Sequence, residues 1–337
     1  MKQLTKLLPQ LLNDIKNSTS HSIAYLLSDN VADCLSASGI FLRKLGAPVL
    51  RKFYKKYIRH KIITDCAAPL PKNKNGHIFA INHQQKDDII IAMHGAGAPG
   101  YVLFGGLDIA LETGNGLGLW AYGTILIDRN SKTSRKSAYE KMKYVLQHGG
   151  NIFVYPEGYW NIADDGEMDE FHGADSHNSD SWLVQNLNMG IFRLSQETGC
   201  DIVPVILHYD DTSDTVCYTY RDDPFTVSPT DDVFERKDRF TTIMNTAYYN
   251  LIEKYSSYSR HRLEAGGLTL KQQNDLYIRQ LLDETAIQHT GYKMDMASEK
   301  RIGKARTKQH VVTAREAFAH MKNIKPTVKN AFLFRKD

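Results

Sequence analysis

The chain has 337 residues, of which 42% are hydrophobic and 24% charged, a composition typical of a folded protein with a large core. No apolar run approaches the roughly 18 to 20 residues that span a bilayer, so a transmembrane helix is not predicted. The four cysteines are scattered without a C-x-x-C pair, which argues against a zinc site and a disulfide framework and fits a reducing cytoplasm. The length favours one main domain, predicted at residues 66–256, between extensions at 1–65 and 257–337.

The first 65 residues are predicted to be helical, amphipathic and basic. From Arg43 to Lys61 the chain carries eight cations and no acidic residue, interleaved with apolar side chains such as Leu45, Val49 and Phe53. Helices that lie on anionic lipid have this pattern, and we expect contact with the inner face of the membrane. A helix whose apolar face packs on the domain has it too, so that interpretation stays open. No nucleic-acid motif accompanies the stretch, and no nucleic-acid partner is expected.

Beyond residue 77, short β-rich runs alternate with helical segments, which indicates an α/β fold with a mostly parallel, mixed sheet flanked by helices. Most of these runs are continuously apolar, as strands covered on both faces are. The predicted strands are His77–Asn82, Tyr101–Phe104, Gly123–Asp128, Asn151–Pro156, Asp201–Tyr209 and Thr215–Arg221.

Helices are predicted between and after these strands. One is capped by Ser131 or Thr133 and ends at Gly149-Gly150, which makes the strands on either side of it parallel. Two more are expected at about Asp232–Tyr255 and Leu270–Thr285, the second inside the basic C-terminal extension.

An acidic, polar stretch at residues 164–180 is predicted to be an exposed loop inserted after the fourth strand. It holds seven acidic residues together with His172 and His177. These side chains show no repeated ligand spacing, so no metal site is predicted.

The sharpest chemical signal is the motif N-H-Q-Q-K-D-D, in which His83 leaves a strand and Asp88 follows five positions later. On one continuous helix the two side chains would point about 500° apart, so a turn or a helix start must bring them together. A carboxylate bonded to one ring nitrogen fixes the tautomer of histidine and leaves the other nitrogen to accept a proton. Such a base is suited to an alcohol.

Three further motifs follow in order, each at the carboxyl end of a predicted strand. They are G-T-I-L-I-D-R at 123–129, Y-P-E-G at 155–158 and V-P-V at 203–205. Together with the His83 motif they resemble the four sequence blocks of the glycerol-phosphate and lysophosphatidic acid acyltransferase family, over about residues 77–209.

The resemblance implies an O-acyltransferase of phospholipid biosynthesis with His83 as general base and Asp88 as its orienting acid. It implies an acyl-CoA or acyl carrier protein donor, a lysophospholipid or glycerol-phosphate acceptor, and no cofactor. No G-x-S-x-G motif occurs and no cysteine has an adjacent histidine, so a covalent acyl-enzyme is not expected. The substrate-binding residues that it implies, with Arg129 facing the acceptor's phosphate, are Asn82, Arg129, Glu157, Gly158, Tyr159 and Trp160.

Two departures from the family pattern concern the acceptor. Tyr159 and Trp160 replace the usual Thr-Arg, and Asn188 stands where a lysine is common. Losing two cations weakens the case for a phosphate, while aromatic rings offer a stacking surface that suits a sugar. A glycan or another non-phosphate alcohol is therefore the alternative acceptor, unless Tyr159 and Trp160 only pack on the acidic loop. The alternative from a different functional class is a lipid-binding scaffold protein that has the fold but no catalytic activity.

Overall fold

The computed structural model describes residues 9, 30–55, 60–71, 75–83, 88–105, 123–128, 131–158, 184, 187–210, 213 and 215–256. The predictions for Arg129, Tyr159, Trp160, the acidic loop and the extension 257–337 lie outside these residues. Within the described ranges, no helix combines the length and the apolar content needed to cross a membrane. The same ranges contain no cluster of three or more His, Cys, Asp or Glu side chains that could hold a metal ion.

Helices and strands alternate through the described residues. The helices are α1 (Val31–Cys34), α2 (Ala37–Lys55), α3 (Asp88–Ala96), α4 (Lys132–Gln147), α5 (Gly190–Thr198) and α6 (Val233–Tyr255). The strands are β1 (Lys61–Cys66), β2 (Ile78–Ile81), β3 (Tyr101–Phe104), β4 (Thr124–Leu126), β5 (Ile152–Val154), β6 (Ile202–Tyr209) and β7 (Val216–Arg221).

These strands form one mixed sheet in the order β1-β7-β6-β2-β5-β3-β4. All neighbours are parallel except β6 and β7, so β1 and β7 run against the other five. The predicted α/β class, with a mostly parallel mixed sheet flanked by helices, is confirmed. The carboxyl ends of β2, β5 and β6 therefore lie along the same edge of the sheet, where polar residues that follow them can meet.

The six predicted strands are all present, within a residue or two at each end. Their apolar runs are explained by burial, since every residue of β2 and of β6 is buried. The predicted helix between the third and fourth strands is α4, whose first turn is capped by the Ser131 side chain, and the helix after residue 230 is α6, capped by Asp232. Hydrophobic periodicity and capping residues were sufficient to predict these strands and helices from the sequence.

The prediction of helix is wrong for residues 61–65, which belong to β1. None of the six residues K-I-I-T-D-C is buried; they pair in parallel with β7 and form one edge of the sheet. In the sequence, the helical pattern of the preceding residues continues into this stretch. The β-branched residues Ile62, Ile63 and Thr64 nevertheless suit an edge strand once β7 is beside them. β1 also crosses the domain boundary predicted at residues 65 and 66, and the boundaries themselves stay a prediction.

Two apolar layers cover the two faces of the sheet. Alternate residues of β2 point to opposite faces, so Ile78 and Ala80 pack in one layer and Phe79 and Ile81 in the other. The first layer includes α4, α5 and α6, while α3 packs on the second. Each fully buried large apolar side chain stabilises the fold by about 1.5 to 3 kcal/mol. The buried α3 thereby holds its first residue, Asp88, against the sheet.

A buried histidine near the end of β6 makes the stability of this core depend on pH. His208 lies between the rings of Tyr218 and Tyr248, at centroid distances of 6.2 and 6.3 Å. Burial lowers the pKa of His208 from its ordinary 6.5 to about 4, against the opposing pull of the Asp210 carboxylate. The ring is therefore neutral in the folded protein near pH 7.

We expect the free energy of unfolding to fall as the pH drops from about 6.5 towards 4. In that pH range His208 binds a proton in the unfolded chain but not in the folded protein. The free energy of unfolding therefore falls by up to about 3 kcal/mol. Burial also lowers the pKa of His77, which adds to the loss. Urea unfolding of His208→Gln at pH 7 and pH 5 should show a smaller difference than the wild type does, while the exposed His148→Gln should match the wild type. An unchanged difference in His208→Gln would contradict this assignment.

Candidate active site

The site lies at the edge of the sheet where the parallel strands β2, β5 and β6 end. In the sheet register Ala80 pairs with Val154 and Ile81 with Val205. His83 follows β2 and Tyr155 follows β5, so both side chains leave the sheet at the same level. This edge is where ligands bind in open α/β sheets.

His83 and Asp88 meet at this edge. Nδ1 of His83 lies 2.9 Å from Oδ2 of Asp88. The Asp88 side chain is fully buried, whereas that of His83 is 15% exposed. Asp88 is the first residue of α3, where the helix dipole favours negative charge. The expectation that a helix start brings the two side chains together is confirmed, and their catalytic roles stay predictions.

Two tyrosines that we did not predict as site residues complete the surroundings of this pair. The Tyr209 hydroxyl donates a hydrogen bond of 2.5 Å to Oδ1 of Asp88. The Tyr155 ring stacks on the His83 imidazole, with centroids 3.7 Å apart and planes 15° from parallel. Both residues stand at the carboxyl ends of predicted strands, which is the sequence signal that could have identified them.

Asn82 joins two strands through its side chain. It is fully buried, its amide donates to the Leu207 carbonyl at 2.9 Å, and its Oδ1 accepts from the Leu207 N–H at 2.8 Å. These two hydrogen bonds connect the end of β2 to β6 immediately before His83. Substrate binding by Asn82, which the resemblance implies, stays a prediction.

The Glu157-Gly158 turn follows Tyr155 and is closed by backbone bonds. The Gly158 N–H donates to the Tyr155 carbonyl at 2.9 Å, and Gly158 has φ of +81°, which favours glycine. Asn188 donates to the Pro156 carbonyl twice, from its backbone N–H at 2.7 Å and from its side-chain amide at 2.9 Å. A Cβ at position 158 would lie only 2.9 Å from that amide nitrogen. Glycine is therefore favoured here by conformation, and a side chain at this position would also displace the Asn188 amide.

Glu157 is buried in this turn, two residues beyond the tyrosine that contacts His83. The turn that holds the predicted pair Glu157 and Gly158 thus begins at the tyrosine that stacks on His83, and their contact with a substrate stays a prediction. The predicted substrate residues Arg129, Tyr159 and Trp160 lie outside the described residues. Of the second motif the structure describes Gly123–Asp128, on β4 and at its two ends, with β3 and β5 between that strand and β2.

Cys217 is a buried cysteine of β7 with low reactivity. Burial raises the pKa of the Cys217 thiol well above its ordinary value of 9.0, and the charge of Asp88 raises it further. A nucleophilic cysteine must be a thiolate, so Cys217 is held in the wrong protonation state. His83 rather than Cys217 is therefore the candidate reactive group among the side chains described at this edge.

Comparison with known proteins gives a family for this arrangement. A family model described as Acyltransferase matches residues 55–208, which include His83, Asp88 and the Glu157-Gly158 turn. No curated protein sequence matches the chain at a significant level. The chain is similar to the crystal structure of the 1-acyl-sn-glycerophosphate (LPA) acyltransferase PlsC from Thermotoga maritima, at 15% identity and a TM-score of 0.43, with 75% of this chain and 98% of that one covered. By the family-model match, residues 55–208 of the chain are identified as an acyltransferase domain.

Proposed function

We propose that the protein transfers a fatty acyl group from a thioester donor to the hydroxyl of a lysophospholipid or glycerol-phosphate acceptor, with His83 as general base. The observation that carries the proposal is the 2.9 Å contact between Nδ1 of His83 and the buried Asp88 carboxylate. A carboxylate at Nδ1 holds the proton there, so Nε2 is the nitrogen that accepts the proton of the alcohol.

The reaction needs one base and no resident cofactor, because a thioester is already an activated acyl group. Nε2 of His83 takes the proton as the acceptor oxygen bonds to the thioester carbonyl carbon. The tetrahedral intermediate then expels the sulfur, and the proton on His83 goes to the departing thiolate. An ester and a free thiol result, and the histidine returns to its neutral form.

Asp88 stabilises the imidazolium that forms during this reaction. Its buried carboxylate faces the ring in a poorly solvated position, where a charge interaction is stronger than in water. Stacking of His83 on Tyr155 also limits rotation of the imidazole about its side-chain bonds. Both contacts keep the base oriented before the substrates arrive, which is how positioning lowers a reaction barrier.

The acceptor class has a second candidate, a non-phosphate alcohol such as a glycan. Asn188 stands where the resemblance implies a lysine, and its amide is bonded to the Pro156 carbonyl. This position therefore supplies no cation to a phosphate. Arg129 remains the residue that we propose for phosphate binding.

Purified protein with acyl-CoA or acyl-loaded carrier protein and a panel of acceptors tests the proposal. We expect thiol release that depends on acceptor, with a new ester identified by mass spectrometry. Strict dependence on a phosphate monoester would exclude the glycan alternative, and turnover with glycans alone would exclude the lysophospholipid. Absence of acyl transfer with every donor and acceptor would favour the scaffold alternative.

An anionic membrane surface is the partner that we propose for α2. Phe41, Leu45 and Val49 recur every four residues along this helix and are 46%, 59% and 71% exposed. Residues at this spacing share one helix face. Exposed Lys44 and Lys52 lie on the same helix, in a stretch without acidic residues. An apolar stripe with flanking cations matches the chemistry of an anionic lipid interface.

Sedimentation with vesicles measures this contact. Leu45→Ser with Val49→Ser should weaken binding to vesicles that contain 30% phosphatidylglycerol by at least about tenfold, because two apolar side chains no longer enter the interface. Phe234→Ser is the matched control, since Phe234 is 65% exposed on α6. Equal binding by the double variant and the wild type would contradict the proposed contact.

A further inference from the structure

The Asp88 carboxylate is held by two side chains from two different parts of the chain. Oδ2 faces Nδ1 of His83 at 2.9 Å, and Oδ1 accepts the Tyr209 hydroxyl at 2.5 Å. Both Asp88 and Tyr209 are buried, so water does not compete freely for these bonds. The two oxygens of one planar carboxylate are thus assigned to two separate donors.

A carboxylate at this place has other donors within its own helix. Asp88 begins α3, and the first turn of a helix carries backbone N–H groups that lack intrahelical partners. Such groups attract negative charge. If Oδ1 lost its present donor, rotation about the Cβ–Cγ bond towards the helix start would also turn Oδ2 away from His83.

Tyr209 is itself fixed by the sheet. It is the last residue of β6 and pairs with Cys217 of β7 in the antiparallel register. The next residue, Asp210, donates its N–H to the Val216 carbonyl at 3.0 Å, and the Tyr209 ring meets His60 edge-on at 5.1 Å. Its hydroxyl therefore marks a fixed point in the fold.

We infer that Tyr209 is a positioning residue that acts on the reaction through Asp88. Its hydroxyl fixes the plane of the carboxylate, the carboxylate fixes the Nδ1–H tautomer of His83, and Nε2 is thereby available to the acceptor hydroxyl. The inference rests on the proposed function of His83 as base. It assigns no contact with either substrate to Tyr209.

Kinetics of Tyr209→Phe test the inference, because this change removes the hydroxyl and keeps the ring. We expect kcat to fall by about tenfold to a hundredfold, the usual effect of a small misplacement of a catalytic group, with KM nearly unchanged. Tyr218→Phe is the matched control. This change removes the 2.9 Å hydrogen bond from the Tyr218 hydroxyl to the Asp210 carboxylate. The Tyr218 ring stacks on Tyr255 of α6, on the face of the sheet opposite to Asp88. This control should keep the wild-type kcat.

A double-mutant cycle separates positioning from a general structural role. In the Asp88→Asn background, Tyr209→Phe should lower kcat by less than about threefold, since the carboxylate through which it acts is gone. An equal loss in both backgrounds would overturn the inference. So would an unchanged kcat for Tyr209→Phe, or an effect confined to KM.

Nitrogen-15 NMR of the histidine rings gives a readout that needs no turnover. The His83 signals, identified by their loss in His83→Ala, should report the Nδ1–H tautomer in the wild type and more of the Nε2–H tautomer in Tyr209→Phe. Identical tautomer populations would overturn the inference even if acyl transfer is observed. If the wild type transfers no acyl group, the proposed function fails while this measurement still decides the role of Tyr209.

Discussion

Replacing His83 by alanine is expected to lower kcat/KM for acyl transfer by about 10² to 10⁴-fold, the range that general base catalysis supplies. The alcohol would then have to lose its proton to water during attack, and no imidazolium would form beside Asp88. Thiol release from acyl-CoA or acyl carrier protein, followed with a thiol reagent in the presence of acceptor, measures the effect. KM for the acyl donor should change little, because the donor's binding does not depend on the base.

The matched control for this variant is His148→Ala. His148 is an exposed histidine at the end of α4, where its ring bonds to the Tyr144 carbonyl, before β5 begins and so at the opposite edge of the sheet. It should turn over like the wild type. Wild-type turnover by His83→Ala would refute the assignment of the base, and no turnover by any form of the protein would favour the scaffold alternative.

Replacing Asp88 by asparagine is expected to lower kcat by about 10² to 10⁴-fold while the protein stays folded. The amide has nearly the shape of the carboxylate, but it carries no charge to stabilise the imidazolium and can donate to Nδ1, which selects the wrong tautomer. Steady-state kinetics with circular dichroism melting separate the two effects. The melting temperature should fall less than it would for Asp88→Ala, which leaves the Tyr209 hydroxyl facing a void.

Asp210→Asn is the matched control for Asp88→Asn. Asp210 also accepts a tyrosine hydroxyl, from Tyr218, but it has no contact with His83 among those described. Its kcat should stay near that of the wild type. If Asp88→Asn kept a kcat within about threefold of the wild type, the carboxylate would have no part in orienting the base.

The helices and strands that could be predicted are those with strong local signals. β6 is an eight-residue apolar run, and α4 and α6 begin at side-chain caps that are visible in the sequence. β1 was missed because an edge strand without buried residues depends on its partner β7, which lies some 150 residues later in the chain. Local propensity carries no information about such a partner.

The candidate site shows the same division. His83 and Asp88 are five residues apart, and their motif was sufficient to predict that they meet. Tyr209 reaches Asp88 from 121 positions away. Substrate binding by Asn82 stays a prediction, while the bonds of its amide to Leu207 depend on the neighbouring strand and could not be predicted from the motif.

By itself, the sequence determined the fold class, the position of each predicted strand in the chain and the identity of the histidine–aspartate pair. These follow from local periodicity and from short motifs, because side-chain direction along a strand or helix repeats at a known period. The tertiary structure alone decided that Tyr209 and Tyr155 contact this pair, that Asn188 holds the Glu157-Gly158 turn, and that Cys217 stays a neutral thiol. Those contacts join residues far apart in the chain, and they exist only because parallel strands end together at one edge of a sheet.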